Sequence, residues 1–258
     1  MLTLTTLASG SSGNGILLSG AGTHLLIDVG ISCRRICKSL RELGIEPRDL
    51  GGILITHEHT DHISGLATLT KQFAVPVYTS PGTGRQLCYR IAALEDVLHT
   101  CEPGGSFAVG ELLVETFPTL HDAAPPMGFA VSDGERKAAV VTDLGVVTDE
   151  VRSGMAGAGL VVVEANHDVD WVESGPYPYY LKRRILGDHG HLSNEAGGEL
   201  ARRAVEAGAH TVVLAHLSAE NNTPERARTA VEVALSACGR AVTLEVAPRA
   251  EPGTTYPV

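Results

Sequence analysis

The sequence reads Thr56-His57-Glu58-His59-Thr60-Asp61-His62 directly after the short apolar run 52–55. Four side chains that can bind a metal ion therefore fall within six residues, at the end of a predicted strand. Imidazole nitrogens and carboxylate oxygens suit zinc and other first-row divalent ions. So dense a group of them has little use in packing, and the stretch predicts a metal site.

The local geometry of this stretch predicts places for two ions. In an extended segment alternate side chains point the same way, so His57 and His59 can share one ion. Apolar residues then recur at helical spacing between Ile63 and Phe73, which predicts a helix that begins near Asp61. The change of direction would turn Asp61 and His62 towards a second ion.

The pattern resembles the metallo-β-lactamase superfamily, whose signature is His-x-His-x-Asp-His after a strand. In that fold the other metal-site residues follow further strands around one cleft. The resemblance therefore implies an Asp after an earlier strand, then a His, an Asp and a His after later ones. Apolar runs of this sequence end at such residues in this order, namely Asp28, His121, Asp143 and His216.

Carried over position by position, the resemblance implies two divalent ions per chain. Manganese and zinc are the candidates and iron is a further one, because mixed nitrogen and oxygen ligands do not select among them. Asp28 would hydrogen-bond to ligand groups and orient them. The ligands divide into three sets: His57, His59 and His121 for the first ion, Asp61, His62 and His216 for the second, and Asp143 as the bridge.

Composition agrees with a folded chain that can bury a substantial core. Of its 258 residues, 43% are hydrophobic, and no apolar run approaches the roughly 18 residues of a membrane span. The first residues lack the charged start of a signal peptide and alternate like a strand. The five cysteines form no CxxC pair, so we expect reduced thiols and a cytoplasmic location.

Strand and helix signals alternate along the chain without a linker. They predict an α/β fold with one domain over residues 1–258, a four-layer αββα sandwich in which two mixed sheets pack face to face. The last residues, 249–258, are rich in Pro and Gly and predict a loose tail. The strand signals lie at 2–7, 15–19, 24–28, 52–56, 76–79, 112–117, 128–132, 137–142, 159–164, 211–215 and 242–246, and the helix signals at 33–43, 63–73, 83–94, 194–207 and 224–237.

Four further segments resemble the YycJ (also WalJ) family within this superfamily. The resemblance implies a bacterial metal-dependent nuclease, a 5′-to-3′ exonuclease on DNA with a role in DNA repair. The chain lacks the inserted β-CASP domain of RNA-processing relatives, and it has Asp143 where zinc β-lactamases have a cysteine. The segments are Ser9-Gly10-Ser11-Ser12-Gly13-Asn14, Glu164-Ala165-Asn166-His167-Asp168, Gly190-His191-Leu192-Ser193-Asn194 and His216-Leu217-Ser218-Ala219-Glu220-Asn221-Asn222.

These segments supply the candidate catalytic and substrate-binding residues. Two ions about 3.5–4 Å apart would bind a bridging hydroxide, which Asp61 could hold in line with the phosphate. His191 is the candidate to protonate the leaving 3′-oxygen or to clamp the phosphate. The glycine- and serine-rich loop could cradle a phosphate oxygen, although the same residues also make ordinary hairpin turns. The substrate-binding candidates are Ser11, Ser12, Asn14, Asn166, His167 and His191.

A net charge of −10 opposes a nucleic-acid partner, because such binding usually rests on Lys and Arg. Two divalent ions would restore positive charge locally, and basic residues cluster at 34–38 and 182–184, although either cluster also suits a solvated helix face. We therefore expect weak, salt-sensitive DNA binding centred on the metals. Two alternatives remain: a hydrolase of a small cyclic phosphodiester, thioester or lactone, and a non-enzymatic metal-binding partner of a regulatory system.

Overall fold

The computed structural model describes residues 1–258, and its fourteen strands form two mixed sheets of seven. The order in the first sheet is β14-β1-β2-β3-β4-β5-β6, and it contains β1 (Thr3–Ala8), β2 (Gly15–Gly20), β3 (Thr23–Ile27), β4 (Leu50–Leu54), β5 (Val77–Thr79), β6 (Leu98–Thr100) and β14 (Thr255–Pro257). The order in the second is β13-β12-β11-β10-β9-β8-β7, and it contains β7 (Ser106–Val109), β8 (Leu112–Pro118), β9 (Met127–Ser132), β10 (Lys137–Val141), β11 (Leu160–Glu164), β12 (Thr211–Ala215) and β13 (Thr243–Val246).

Nine α-helices accompany the sheets, and none of them has the length and apolar character needed to cross a membrane. Most begin at a Ser, Thr or Asp whose side chain accepts a hydrogen bond from the first turn, as at Ser193 and Thr223. The helices are α1 (Cys33–Glu42), α2 (Thr60–Ile63), α3 (Leu66–Phe73), α4 (Pro81–Arg90), α5 (Asp149–Met155), α6 (Val169–Ser174), α7 (Tyr179–Leu186), α8 (Asn194–Glu206) and α9 (Pro224–Ser236).

Three apolar layers hold the fold together and confirm the four-layer αββα prediction. Strand β10 illustrates this arrangement, because its side chains alternate between two of these layers. Val140 lies in the core between the sheets, whereas Val141 packs in the core under α5, α8 and α9. A third core joins the first sheet to α1, α3 and α4. Both faces of the central strands are thus buried, which explains their nearly continuous apolar sequences.

The end of the chain differs from the prediction of a loose tail. Strand β14 pairs antiparallel with β1, with Tyr256 opposite Leu4. Val258 donates its backbone N–H to the Leu2 carbonyl at 3.0 Å and packs in the core between the sheets. The prediction failed because the segment is short and bounded by Pro and Gly, and only the free edge of β1 gives it a partner.

Several short elements also escaped prediction, because each is too short for a clear period. These are the strands β6 and β7 and the helices α5, α6 and α7. The predicted helix 63–73 is divided into α2 and α3 near Gly65, where the backbone passes close to a neighbouring loop. A Cβ at Gly65 would lie 2.3 Å from the Ile31 carbonyl oxygen, so this crossing requires glycine.

Candidate metal centre

The metal-site candidates lie at the carboxyl ends of strands from both sheets, where the two sheets open into one cleft. Asp28 follows β3, Asp143 follows β10 and His216 follows β12. All three have left-handed backbone conformations, with φ of 61°, 60° and 57°. Such conformations are uncommon outside glycine, although Asp and His adopt them more readily than most residues. Each strand therefore ends in a sharp turn that aims its side chain into the cleft.

The three histidines predicted to hold the first ion lie close together, as expected from the sequence. Ligand atoms of His57, His59 and His121 lie within 4.8 Å of one another. His121 makes a hydrogen bond to the Gly190 carbonyl oxygen through Nδ1 at 2.9 Å, which leaves Nε2 for an ion. The buried Nε2 of His57 has no hydrogen-bond partner in the protein. Buried polar nitrogens are seldom left unpaired, so this atom fits a metal ligand.

The second predicted set also converges. Ligand atoms of Asp61, His62 and His216 lie within 4.8 Å of one another. The Oδ2 atom of Asp61 is 3.4 Å from Nε2 of His62 and 3.3 Å from Nε2 of His216. Each imidazole is held from behind through Nδ1, His62 by Asp28 at 2.7 Å and His216 by Glu164 at 2.9 Å. Such contacts fix the ring so that Nε2 faces the ion.

Asp143 lies between the two sets. Its Oδ2 atom is 3.3 Å from Nε2 of His62, and its Oδ1 atom is 3.4 Å from Nε2 of His216 and 3.9 Å from Nε2 of His121. The buried Oδ2 atom has no hydrogen-bond partner. A carboxylate that reaches histidines of both sets has the position that the bridging role requires.

Carboxylates dominate the electrostatics of the cleft. Burial disfavours the charged form of His216, yet Asp143, Asp61 and Glu164 together raise its pKa to about 10. The pKa of His62 is also raised well above its usual value, because Asp143 and Asp28 outweigh the effect of burial. A cleft that stabilises protonated imidazoles to this extent stabilises cations in general. The donor chemistry, the unpaired atoms and this negative field all fit divalent metal ions.

Asp28 has the predicted supporting position. It accepts hydrogen bonds from the Thr56 backbone N–H at 2.9 Å and from the Thr56 hydroxyl, in addition to its contact with His62. The carboxylate thereby joins the end of β3 to the start of the histidine motif.

Glu164 is a site residue that the sequence did not single out. It ends β11, is completely buried, and its Oε1 atom lies 2.8 Å from Nδ1 of His191 and 2.9 Å from Nδ1 of His216. Burial would raise the pKa of its carboxyl group, but the two imidazoles hold that pKa well below its usual range. The available signal was a lone carboxylate at the end of an otherwise apolar strand, since buried charges are rare unless they are paired.

A cavity of about 360 Å³ opens above the metal-site residues. Three of the predicted substrate-binding residues line it, namely Ser11, Asn166 and His191. The side chain of Asn14 instead accepts a hydrogen bond from the Gly10 backbone N–H, and its amide group contacts Asp61.

Two other predicted substrate-binding residues lie outside this cavity. His167 is only 1% exposed and does not line it, because the chain there runs beside Ser193 and turns the imidazole inwards. Burial also lowers the pKa of His167 to about 4. Ser12 is exposed and is not among the residues that line the cavity. These placements argue against the predicted contacts of His167 and Ser12 with substrate.

One wall of the cavity was not predicted. Helix α7 and the residues before it supply Tyr177, Leu181, Arg184 and Ile185 to the lining. Nε of Arg184 lies 2.5 Å from the carboxylate of Asp122, which directly follows His121. This ion pair connects the wall to the first metal-site group.

The fold and the site together define a metallo-hydrolase of the metallo-β-lactamase class. Residues 23–217 match the family model for the β-lactamase superfamily domain. The chain is 37% identical to the exodeoxyribonuclease YycJ of Bacillus anthracis over 234 residues, which cover 90% of this chain and 89% of that protein. It is 38% identical to the exodeoxyribonuclease WalJ of Streptococcus pneumoniae serotype 2 over 224 residues, covering 86% and 83% of the two chains. The chain belongs to the YycJ/WalJ family of the metallo-β-lactamase superfamily.

Solved structures agree with this fold. The metallo-β-lactamase fold protein YhfI of Bacillus subtilis superposes with a TM-score of 0.74 at 16% identity, over the full length of both chains. The family and the donor set together show that the chain uses divalent metal.

Proposed function

We propose that this chain is a metal-dependent exodeoxyribonuclease that cleaves phosphodiester bonds from the end of a DNA strand. One observation carries the proposal: a complete set of metal donors converges in one cleft of a chain that is 37% identical to YycJ over nine-tenths of its length. The 5′-to-3′ direction, a role in DNA repair and a cytoplasmic location belong to the same proposal. The five cysteines are free thiols, which suits the last of these.

The proposed cofactor is a pair of divalent ions, manganese or zinc with iron as a further candidate. His57, His59 and His121 would hold one ion, and Asp61, His62 and His216 the other, with Asp143 shared. Bound ions of this kind neutralise charge on the phosphate and lower the pKa of water. Asp61 is more exposed than His62 and His216, the other two residues of its set, and it lines the cavity, so its carboxylate can also orient the attacking group.

His191 is the proposed proton donor of this site. Its Nδ1 is fixed by Glu164 at 2.8 Å, so Nε2 is the ring nitrogen that remains for substrate. The side chain lines the cavity beside Asp143. In the proposed reaction His191 donates a proton to the leaving 3′-oxygen or contacts the phosphate, while Ser11 and Asn166 bind at the same rim.

The test uses protein stripped of metal and then supplied with Mn²⁺ or Zn²⁺. Duplexes labelled at the 5′ or at the 3′ end show whether cleavage starts at a terminus and in which direction it runs. The His59→Ala variant is the control, because cleavage by contaminating nucleases would be the same in preparations of the parent and of the variant. Metal-dependent cleavage that the variant loses supports the proposal, whereas equal cleavage by parent and variant would overturn it. We also expect 200 mM salt to reduce the rate strongly, because phosphate contacts are screened.

The cavity volume favours one alternative, a hydrolase of a small phosphodiester. About 360 Å³ lies at the lower end of the range of small-ligand pockets. Such an enzyme would turn over a small cyclic phosphodiester rapidly and leave labelled DNA intact in the same assay.

A further inference from the structure

Helix α7 is unusual in this fold because none of its residues is buried. It lies between α6 and the loop that carries His191, outside the three apolar layers. Its inner face borders the cavity through Leu181, Arg184 and Ile185. The helix therefore contributes to the wall of the cavity and not to an apolar core.

The charge of this helix is opposite to that of the chain. It contains Lys182, Arg183 and Arg184 and no acidic residue, in a protein of net charge −10. Arg184 is held by Asp122 through Nε, so the rest of its guanidinium group remains available to a phosphate. The surface next to the metal centre is therefore complementary to a polyanion.

Two exposed tyrosines begin α7, and they lie on different sides of it. Tyr180 does not line the cavity itself, but it is one helical turn before Arg184, which does, and this spacing makes the two side chains neighbours on the helix surface. Tyr179 is one turn before Arg183, whose guanidinium carbon lies 6.0 Å from the Tyr179 ring centre. Tyr180 is 73% exposed and has no aromatic or cation–π partner. Its ring face is free for a ligand.

We propose that Tyr180 stacks on an unpaired nucleotide next to the scissile bond and that Arg184 holds the adjoining phosphate. This inference rests on the proposed nuclease function and names the form of its substrate, a DNA end whose terminal nucleotides are unpaired. Aromatic stacking beside a cationic groove is the general means by which proteins hold single strands. The cavity, at about 360 Å³, has room for a single nucleotide.

The experiment compares two labelled duplexes of the same sequence, one blunt and one with forked, unpaired ends. The measured quantity is the ratio of kcat/KM for the forked and the blunt substrate. We expect the parent to prefer the forked end by about tenfold or more, because an unpaired base can stack on Tyr180 and a paired base cannot. Tyr180→Ala should bring the ratio close to one, and Tyr180→Phe, which keeps the ring, should restore it.

Tyr179→Ala is the matched control, since Tyr179 is 74% exposed on the same helix. It should keep the parental ratio. Arg184→Ala should weaken both substrates alike and make the salt dependence of the rate shallower, because it removes a phosphate contact rather than a base contact. A parent without preference for forked ends would overturn the inference, as would equal ratios in the Tyr179→Ala and Tyr180→Ala variants.

A binding measurement separates this inference from the proposed function. Fluorescence anisotropy of a labelled single strand is recorded with His59→Ala protein and with the same variant carrying Tyr180→Ala. Tighter binding when Tyr180 is present supports the inference even if the parent cleaves no DNA, in which case only the nuclease proposal fails. Equal affinity in the two proteins overturns the inference whatever the parent cleaves.

Discussion

The metal centre and helix α7 face the same cavity but are built in opposite ways. His57 and Asp143 are buried just after strand ends, and His62 is buried in the short helix α2. The imidazoles of His62, His121 and His216 are each held from behind by a second hydrogen bond. Helix α7 buries no side chain and presents tyrosine, lysine and arginine to solvent. This contrast indicates that the metal chemistry depends on buried residues of the fold, whereas the proposed substrate contacts of α7 lie on a surface that can vary at little cost in stability.

The largest effect should come from Asp143→Asn. Asn removes the charge that both donor sets share, yet it has a similar shape and tolerates the left-handed backbone at this position. We expect the rate to fall by roughly a thousandfold and the bound metal per chain to decrease, since electrostatic stabilisation is usually the largest catalytic contribution. Elemental analysis of the purified protein measures the bound metal, and the labelled-duplex assay measures the rate. A variant with parental metal content and rate would show that Asp143 does not bridge the ions.

A smaller effect is expected from Glu164→Gln. The amide can still contact one imidazole, but it no longer carries the charge that holds both His191 and His216. Loss of such a supporting contact typically reduces metal affinity or activity by about 10- to 100-fold. Glu58→Gln is the matched control, because Glu58 is also buried and lies within the histidine motif, but its Oε1 atom accepts the Ala124 backbone N–H instead. Equal losses in the two variants would mean that replacing either buried carboxylate has this effect, and that the contacts of Glu164 with His191 and His216 are not its cause.

The sequence predicted both the αββα sandwich and the convergence of the metal-site residues, because both depend on strong local patterns. Apolar strands that end in Asp or His can be read residue by residue, and the resemblance to the metallo-β-lactamase superfamily assigned His121 and Asp143 to one cleft. Glu164 was quoted within a motif without a role, because its function depends on two imidazoles that reach it from other loops.

The wall of the cavity could not be predicted for a different reason. Helix α7 has eight residues and no buried face, so its sequence lacks the apolar period that reveals a helix. The substrate-binding role predicted for His167 depended on its position after a strand, yet burial there depends on the tertiary contact with Ser193. Short exposed elements and the direction of single side chains are set by neighbours that the sequence does not identify.

The smallest effect should be that of Leu181→Ala on stability, compared with Leu200→Ala in α8. Leu200 is buried in the core beneath the second sheet, and its truncation should lower the free energy of unfolding by about 3 kcal/mol. Leu181 is only half-buried and borders the cavity, so we expect a loss below about 1 kcal/mol. Chemical denaturation of the two variants and the parent measures the difference. Similar losses would mean that α7 is part of the cooperative core, and the contrast between a rigid centre and an independently variable wall would then fail.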